Sequence, residues 1–218
     1  MPKVNDSVTI TLFANMTYDS RTYVIAQNGY NASIVIDPGS PDAKAVMDFL
    51  GKHDTEIDFI ILTHEHFDHI AGVNALKQRY HCKLICSQEC SERIGDPKKN
   101  LSRYLTGLDY ICGPADYTCE EIYHQLQWGG VTIRLINTPG HSSGSICVAI
   151  QNHLFTGDTL VFNTKTVVKL PGGNKHDLNE SIHYIFTHFD KKTFIYPGHG
   201  ESFRLEEVEK GEILTLSA

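Results

Sequence analysis

The residue types most able to do chemistry are concentrated in residues 63–69 of this 218-residue chain. The stretch Thr-His-Glu-His-Phe-Asp-His contains three imidazoles and two carboxylates. It follows an apolar run that predicts a strand, and His64 and His66 stand two residues apart, so in an extended segment both side chains project to the same side. Both rings can then bind one metal ion. Asp68 and His69 come at the start of a helix-like apolar spacing and can point to a second position beside the first.

Three further short motifs each place one possible metal ligand on a glycine-bearing turn that ends or follows a predicted strand. They are Thr138-Pro139-Gly140-His141, Phe155-Thr156-Gly157-Asp158 and Tyr196-Pro197-Gly198-His199-Gly200. Glycine lets the backbone bend sharply where a side chain must be aimed at a fixed point. The candidate metal ligands are therefore seven in number: His64, His66, Asp68, His69, His141, Asp158 and His199. The other seven histidines are scattered, and we interpret them as surface or hydrogen-bonded residues.

The elements that must position these ligands alternate between strands and helices in the first half of the chain. Apolar patterning predicts strands over residues 8–13, 22–26, 32–36 and 58–62. An Asn-Gly pair predicts a hairpin turn between the second and third strands. Ser40 as N-cap with Pro41 in the first turn predicts a helix that ends at Gly51. A second helix is predicted over residues 70–80, directly after the ligand loop.

The second half of the chain continues with strands and one long helix. A strand over 83–86 is followed by residues 88–118, the least regular stretch, which forms either a lid or a plain surface connection. Strands over 122–128 and 131–136 are joined by a Gly-Gly turn and predict a hairpin. Asp177 and Glu180 predict a capping box at the start of a helix with one apolar face. We expect that helix to pack on a sheet and to take no part in the chemistry.

Composition and charge exclude several classes of partner. The formal net charge is −7 and basic residues never cluster beyond a pair, so a nucleic acid is not expected as a partner. Apolar runs are short, and the amino terminus lacks the charged-then-apolar layout of a signal peptide. We therefore expect a soluble cytoplasmic protein, a single domain over residues 1–218, that acts on a small-molecule substrate and does not bind a membrane. The oligomeric state stays open.

Six cysteines are present, and Cys82, Cys86 and Cys90 are spaced four residues apart. This spacing does not match the C-x2-C pattern of a zinc ribbon. Thiols stay reduced in a protein that is not exported. We expect the cysteines to be buried small residues.

The motifs T-H-E-H-F-D-H, T-P-G-H, F-T-G-D-T and Y-P-G-H-G, in this order, resemble those of the metallo-β-lactamase-fold hydrolases. The similarity is strongest to the single-domain, glyoxalase II-like branch and spans about residues 8–203. It implies an α/β (α+β) fold, a four-layer αββα sandwich of two mixed β-sheets flanked by helices, with a metal site at one edge. His64, His66 and His141 would hold one metal and Asp68, His69 and His199 the other. Asp158 would bridge the two.

The resemblance implies a metal-dependent hydrolase whose main candidate substrate is a small-molecule thioester, as for hydroxyacylglutathione hydrolases. Two divalent metal ions are expected, zinc by default, although imidazole and carboxylate also accept iron or manganese. A metal ion lowers the pKa of bound water from about 15.7 to about 7, which gives hydroxide at neutral pH. Asp68 and Asp158 would be the catalytic carboxylates, with Asp68 orienting the water. A thiolate leaves readily and needs no strong general acid.

Three alternatives stay open, because function lies in the site rather than in the scaffold. The first is another hydrolase of this fold, acting on a lactone, a β-lactam or a phosphoester. The second is an iron-dependent persulfide (sulfur) dioxygenase, which keeps the same ligand positions. The third is a non-enzymatic binding module or a flavin-partnered oxygen-reducing domain. The identity of the bound metal would separate the hydrolases from the dioxygenase.

Two departures from the family pattern affect the expected substrate. Glyoxalase II has an additional helical carboxy-terminal domain that helps to bind glutathione, whereas this chain ends soon after Gly200, so we expect glutathione itself to add little to recognition. Single-domain members usually have Arg and Asp where this chain has Val167 and Lys169. Lys169 is therefore a candidate contact for an anionic substrate, and a solvated surface lysine is the alternative.

Overall fold

The computed structural model describes residues 8–16, 18–119 and 123–208, and its first six strands form one sheet. In order across the sheet they are β1 (Val8–Ala14), β2 (Arg21–Gln27), β3 (Ala32–Ile36), β4 (Glu56–Ile61), β5 (Lys83–Ser87) and β6 (Tyr117–Cys119). The first three are antiparallel, and β3 to β6 run parallel. The carboxyl ends of β3 and β4 therefore lie side by side at one edge, where the first ligand loop begins.

The second sheet contains the remaining six strands of the described residues. They are β7 (Tyr123–Trp128), β8 (Val131–Asn137), β9 (Ile146–Ile150), β10 (His153–Gly157), β11 (Phe194–Pro197) and β12 (Phe203–Arg204). Their order is β12-β11-β10-β9-β8-β7, antiparallel except for the parallel pair β10 and β11. The predicted hairpin is present as β7 and β8, although residue 122 lies outside the described residues. Both sheets are mixed, as the resemblance implied.

Apolar side chains divide into three clusters, which account for the layers. Between the sheets, Tyr23 and Ile25 of the first sheet pack with Phe155 of the second. On the outer face of the first sheet, Val24 packs under α1 (Lys44–His53), α3 (Val73–Arg79) and α4 (Gln88–Arg93). On the outer face of the second sheet lies α6 (Lys175–His188). Successive side chains of each strand point to opposite faces, so each sheet contributes apolar residues both to the layer between the sheets and to the layer under its helices. The predicted four-layer αββα sandwich is confirmed.

The first helix begins later than the sequence predicts. It starts at Lys44 rather than after Ser40, because Ala43 has a left-handed backbone (φ 47°) that interrupts the turn before it. Ala43 is the N-cap and its side chain makes no capping hydrogen bond, but the Lys44 N–H donates to Asp42 Oδ1 (3.1 Å) one residue earlier. The helix also continues through Gly51 to His53, so the predicted stop was wrong.

The helix predicted over 70–80 is two helices, α2 (Phe67–Ile70) and α3. The Gly72 N–H donates to Pro38 O (2.7 Å), a contact outside the helix, and this separates them. The capping box at α6 was also misplaced, because the cap is Asn174. Its side-chain oxygen accepts from the His176 and Asp177 N–H groups. The predicted apolar face is buried at Leu178, Ile182 and Ile185.

Residues 88–118 contain more regular structure than the sequence indicates. They form α4, the short α5 (Ser102–Thr106) and most of β6. The Ser87 hydroxyl accepts from the Cys90 N–H (3.0 Å) and caps α4. Whether this stretch acts as a lid stays a prediction, as does the single domain over 1–218, which includes residues outside the described ranges.

All six cysteines are buried and free, in agreement with the sequence-based expectation. Within residues 8–16, 18–119 and 123–208, no helix combines the length and the apolar character that a membrane crossing requires. The amino-terminal residues on which the signal-peptide argument depended lie outside the described residues.

Candidate metal centre

The loop after β4 is held in place by a buried carboxylate. Asp37, at the end of β3, accepts hydrogen bonds from the Thr63 backbone N–H (2.7 Å) and from the Thr63 hydroxyl (2.6 Å). Because β3 and β4 are parallel neighbours, Asp37 and Thr63 come together where the two strands end. The backbone that carries His64 and His66 is therefore fixed before any ligand binds.

Three histidines form the first group of candidate ligands. His66 Nδ1 lies 3.1 Å from His64 Nε2 and 2.9 Å from His141 Nε2, and all three side chains are buried. The Val167 carbonyl lies 2.9 Å from His141 Nδ1 and accepts its proton, which leaves the Nε2 lone pair facing the group. The three nitrogens thus converge on one point from two loops, one on each sheet.

Asp68, His69 and His199 form the second group. Asp68 Oδ2 lies 3.2 Å from His199 Nε2 and 3.6 Å from His69 Nε2. Those two Nε2 atoms are 3.3 Å apart. His69 Nδ1 lies 3.1 Å from Asp37 Oδ2, so Asp37 accepts the ring proton and leaves Nε2 as the binding atom.

Asp158 lies between the two groups. Its Oδ2 is 3.5 Å from His141 Nε2 and also 3.5 Å from His199 Nε2, and its Oδ1 is 3.6 Å from His69 Nε2. Asp158 Oδ1 is buried and has no hydrogen-bond partner. A buried carboxylate oxygen without a partner is costly, and a cation would satisfy it. The structure thus brings all seven candidate ligands to one place.

Histidine pKa values are shifted in opposite directions in the two groups. Burial, together with neighbouring imidazoles, holds the pKa values of His64 and His66 well below the ordinary value for histidine, so both rings are neutral. Burial also disfavours the charged form of His69. Three neighbouring carboxylates outweigh that effect and raise the pKa of His69 to about 10. His64 and His66 therefore offer free lone pairs at neutral pH, whereas His69 holds a proton.

In the second group, Asp68 and His69 are ionised at neutral pH. Burial opposes ionisation of Asp68, but the charges of His69 and His199 hold the pKa of Asp68 well below its usual range. Burial likewise opposes the charge on His199, and its contacts with Asp68 and Asp158 raise the pKa of His199. Imidazole nitrogens and carboxylate oxygens are a donor set that suits zinc, iron or manganese. With the unpartnered Asp158 oxygen, the residues present fit a metal centre.

Sequence reasoning missed several residues that support this centre. Asp37 is not among the candidate site residues found from the sequence, although a carboxylate directly after a predicted strand was the available signal. Glu65 is fully buried within the ligand loop, where Arg93 Nε lies 2.5 Å from its Oε1 and the Ser142 hydroxyl donates to its Oε2 (2.8 Å). No local signal identifies Arg93, because α4 meets Glu65 only through the tertiary fold.

A cleft of about 260 Å³ opens beside the centre. It is lined by His141, Asp158, His199, Val161, Thr164, Lys165, Thr166 and Val167. Lys169, the candidate substrate contact from the sequence, is exposed and is not among these residues, whereas Lys165 is. A larger cavity, of about 560 Å³, lies at the start of α1 and includes none of the seven candidate ligands.

Comparisons with known proteins agree with this geometry. The protein-family model of the metallo-β-lactamase superfamily matches residues 17–199. The chain is 30% identical over 192 residues to "Probable polyketide biosynthesis zinc-dependent hydrolase BaeB" of Bacillus velezensis, which covers 88% of this chain and 77% of that protein. It is 29% identical over 181 residues to a hydroxyacylglutathione hydrolase of Shewanella loihica, covering 83% of this chain and 62% of that protein.

Among solved structures, the crystal structure of the BLEG-1 B3 metallo-β-lactamase superposes with a TM-score of 0.83 at 29% sequence identity. The superposition covers 91% of this chain and 95% of that one. The similarity therefore extends over almost the whole of both chains.

Proposed function

The chain belongs to the metallo-β-lactamase superfamily and is a metallo-hydrolase, and from this premise we propose that it hydrolyses a small-molecule thioester at a centre for two divalent metal ions. His64, His66 and His141 would hold one ion, and Asp68, His69 and His199 the other. The observation that carries the two-metal proposal is the position of Asp158. Its carboxylate faces a histidine of each group at 3.5 Å, and one of its oxygens is buried without a hydrogen-bond partner.

Bound metal ions would supply an acidified water and polarise the carbonyl oxygen of the substrate. The chain's own residues do the rest. Asp68, whose pKa lies well below the usual range, stays ionised and can orient the attacking water by accepting a hydrogen bond from it. The Val167 carbonyl and the Asp37 carboxylate hold the rings of His141 and His69 with Nε2 facing the centre.

The walls of the cleft favour a thiolate as the leaving group. Apart from the candidate ligands, the described residues that line the cleft include no carboxylic acid, tyrosine or further histidine that could protonate a departing alkoxide. A thiol has an ordinary pKa of about 8.5 and leaves as its anion without such help. The relative from Shewanella loihica, named as a hydroxyacylglutathione hydrolase, supports the same reaction class.

Zinc is the metal we propose, because the relative from Bacillus velezensis is named as a zinc-dependent hydrolase and the donor set suits zinc. β-Lactam hydrolysis is the second candidate, since the structure superposes on that of a B3 metallo-β-lactamase at 29% identity. A small substrate is consistent with a cleft of about 260 Å³.

Elemental analysis of the purified protein and a matched substrate panel test this proposal. We expect about two zinc ions per chain, and hydrolysis of an acyl thioester more than about 100-fold faster than that of the matching oxygen ester. General acid catalysis contributes about 10²–10⁴-fold, and apart from the candidate ligands and Lys165 the cleft lining has no group to provide it. A β-lactam, a lactone, a phosphoester and a persulfide complete the panel. Equal rates on both esters would refute the thioester assignment, and iron with oxygen consumption on the persulfide would indicate a dioxygenase.

A further inference from the structure

Ser20, which precedes β2, joins α2, which carries Asp68, to the loop that carries His199. It is fully buried, and its backbone forms an isolated antiparallel bridge with His199. Its hydroxyl donates a hydrogen bond to the backbone carbonyl of Asp68 at 2.6 Å. One residue thus contacts two members of the second ligand group, although Asp68 comes after β4 of the first sheet and His199 comes after β11 of the second sheet.

The Asp68 carbonyl needs this hydrogen bond, because its helix does not supply one. In a continuous helix the N–H of Gly72 would donate to Asp68 O, but here Gly72 donates to Pro38 O instead (2.7 Å). A buried carbonyl that lacks its helical donor must be paired elsewhere. The Ser20 hydroxyl provides that pairing at the point where α2 ends.

The direction of the Ser20 hydroxyl is also determined by its surroundings. Asn15 Nδ2 donates to Ser20 Oγ (3.1 Å) and to Thr22 Oγ1 (2.9 Å), so Ser20 Oγ acts as an acceptor on that side and its own proton points to Asp68 O. Gly39 leaves room for this arrangement, because a Cβ there would lie 2.6 Å from Ser20 Oγ and 2.7 Å from Asn15 Nδ2.

Neighbouring contacts fasten the same strand to the His199 loop. The Arg21 N–H donates to Gly198 O (2.8 Å), and the Tyr23 hydroxyl donates to Pro197 O (2.6 Å). The start of β2 therefore holds α2, which carries Asp68, next to the loop that carries His199.

We propose that Ser20 is a positioning residue for the metal position formed by Asp68, His69 and His199. It binds no metal itself. By fixing the Asp68 backbone against the His199 loop, it sets the distance between two ligands that come from different sheets. The inference rests on the proposed metal centre and is independent of the proposed thioester substrate.

Cobalt(II) is the probe for the test, because its visible absorption reports the ligand geometry and its affinity can be measured by competition with a chelator. A His141→Ala background leaves the Asp68–His69–His199 position, and a His199→Ala background leaves the other. We expect Ser20→Ala to weaken cobalt binding about 10–100-fold in the first background and to change its absorption bands. In the second background the affinity should change by no more than about twofold, because Ser20 contacts Asp68, His199 and Asn15 rather than the ligands of that position.

Ser33→Ala is the matched control, since Ser33 is equally buried on β3 but its hydroxyl contacts Thr55 (3.3 Å), away from the ligands. It should leave both affinities unchanged. Asn15→Ala, which removes the amide that orients the Ser20 hydroxyl, should weaken the same position in the same direction and gives a second test should Ser20→Ala fold poorly.

Equal losses in both backgrounds, or the same loss from Ser33→Ala, would show a general stability effect and overturn the proposal. So would unchanged affinity in Ser20→Ala and Asn15→Ala. If the unmodified protein bound no second ion, the two-metal centre itself would be refuted, and Ser20 would have no such role. Failure of thioester hydrolysis alone would leave the cobalt result, and the role of Ser20, intact.

Discussion

The Nδ1 atom of His69 lies 3.1 Å from Oδ2 of Asp37, and the same carboxylate accepts two hydrogen bonds from Thr63. One buried aspartate therefore holds both the ring orientation of a candidate ligand and the backbone of the loop that precedes it. Carboxylate partners of this kind fix the tautomer of a metal-binding imidazole and raise its basicity.

Replacing Asp37 by Asn should weaken metal binding about 10–100-fold while leaving the fold in place, because the amide keeps the shape and loses the charge that orients His69. Competition with a chelator, together with circular dichroism, measures both quantities. Asp116→Asn is the matched control, since Asp116 also accepts a backbone hydrogen bond, from Leu84 N (2.8 Å), on another part of the first sheet. Equal metal affinity in both variants would contradict the role of Asp37.

Asp158→Ala should lose metal and activity together. The variant removes the carboxylate between the two groups, so we expect less than the full metal content and a fall in kcat/KM of more than about 100-fold. Replacing a residue that only hydrogen-bonds to a metal ligand typically costs about 10–100-fold. Elemental analysis and the thioester assay check this. Asp190→Ala, at an exposed turn, should be unaffected. Retention of both metals and full turnover in Asp158→Ala would refute the proposed bridge.

Metal binding at the Asp68–His69–His199 position should depend strongly on pH. Burial lowers the pKa of His69, but the carboxylates around it raise the value to about 10, so the ring carries a proton at pH 7 that a metal ion must displace. Affinity should therefore rise with pH, by about tenfold per pH unit for each displaced proton, and level off above about pH 10.

The other position provides the internal comparison for this pH dependence. The pKa values of His64 and His66 are well below the ordinary value, so no proton is displaced from them above pH 7. Cobalt affinities measured between pH 7 and pH 9 in the His141→Ala and His199→Ala backgrounds separate the two positions. A slope near zero in the His141→Ala background would contradict the prediction.

Arg93→Met should destabilise the protein by about 3–5 kcal/mol, because it leaves the buried Glu65 carboxylate without its charged partner. The double variant Glu65→Gln, Arg93→Met should recover part of that loss, since the uncompensated charge is gone. Urea unfolding measures these free energies. Arg103→Met is the control, because the Arg103–Asp109 pair is exposed and solvent screening should make its contribution to stability small. Similar losses in both single variants would contradict the assignment.

Lys165 and Lys169 can be compared to test whether the substrate is anionic. Lys165 lines the cleft and Lys169 does not, so we expect Lys165→Met to raise KM for anionic substrates several-fold with kcat nearly unchanged. The effect should weaken in high salt, since screening acts over about 8 Å at physiological ionic strength. Lys169→Met should match the unmodified protein. The opposite result would restore the sequence-based prediction that Lys169 contacts the substrate.

The strands and the seven candidate ligands could be found from the sequence because each depends on neighbours along the chain. A continuous apolar run identifies β2 and alternating apolar residues identify β8, and the ligand motifs follow strand ends with glycine-bearing turns. The starts of the helices were harder to predict from the sequence. The first helix has Ala43 rather than Ser40 as its N-cap, and the last has Asn174 rather than Asp177. The backbone conformation that decides the position, such as the left-handed Ala43, is set by packing.

What only the tertiary structure decided is the support of the centre and the shape of its cleft. Ser20 contacts Asp68 across 48 residues of sequence, and Arg93 contacts Glu65 across 28. Such pairs leave no periodic or local pattern, because they depend on how the two sheets pack and where their loops meet. The types of the ligands are thus determined locally by the sequence, whereas their orientation, protonation and access to substrate are determined by contacts between distant segments that exist only after the sandwich has formed.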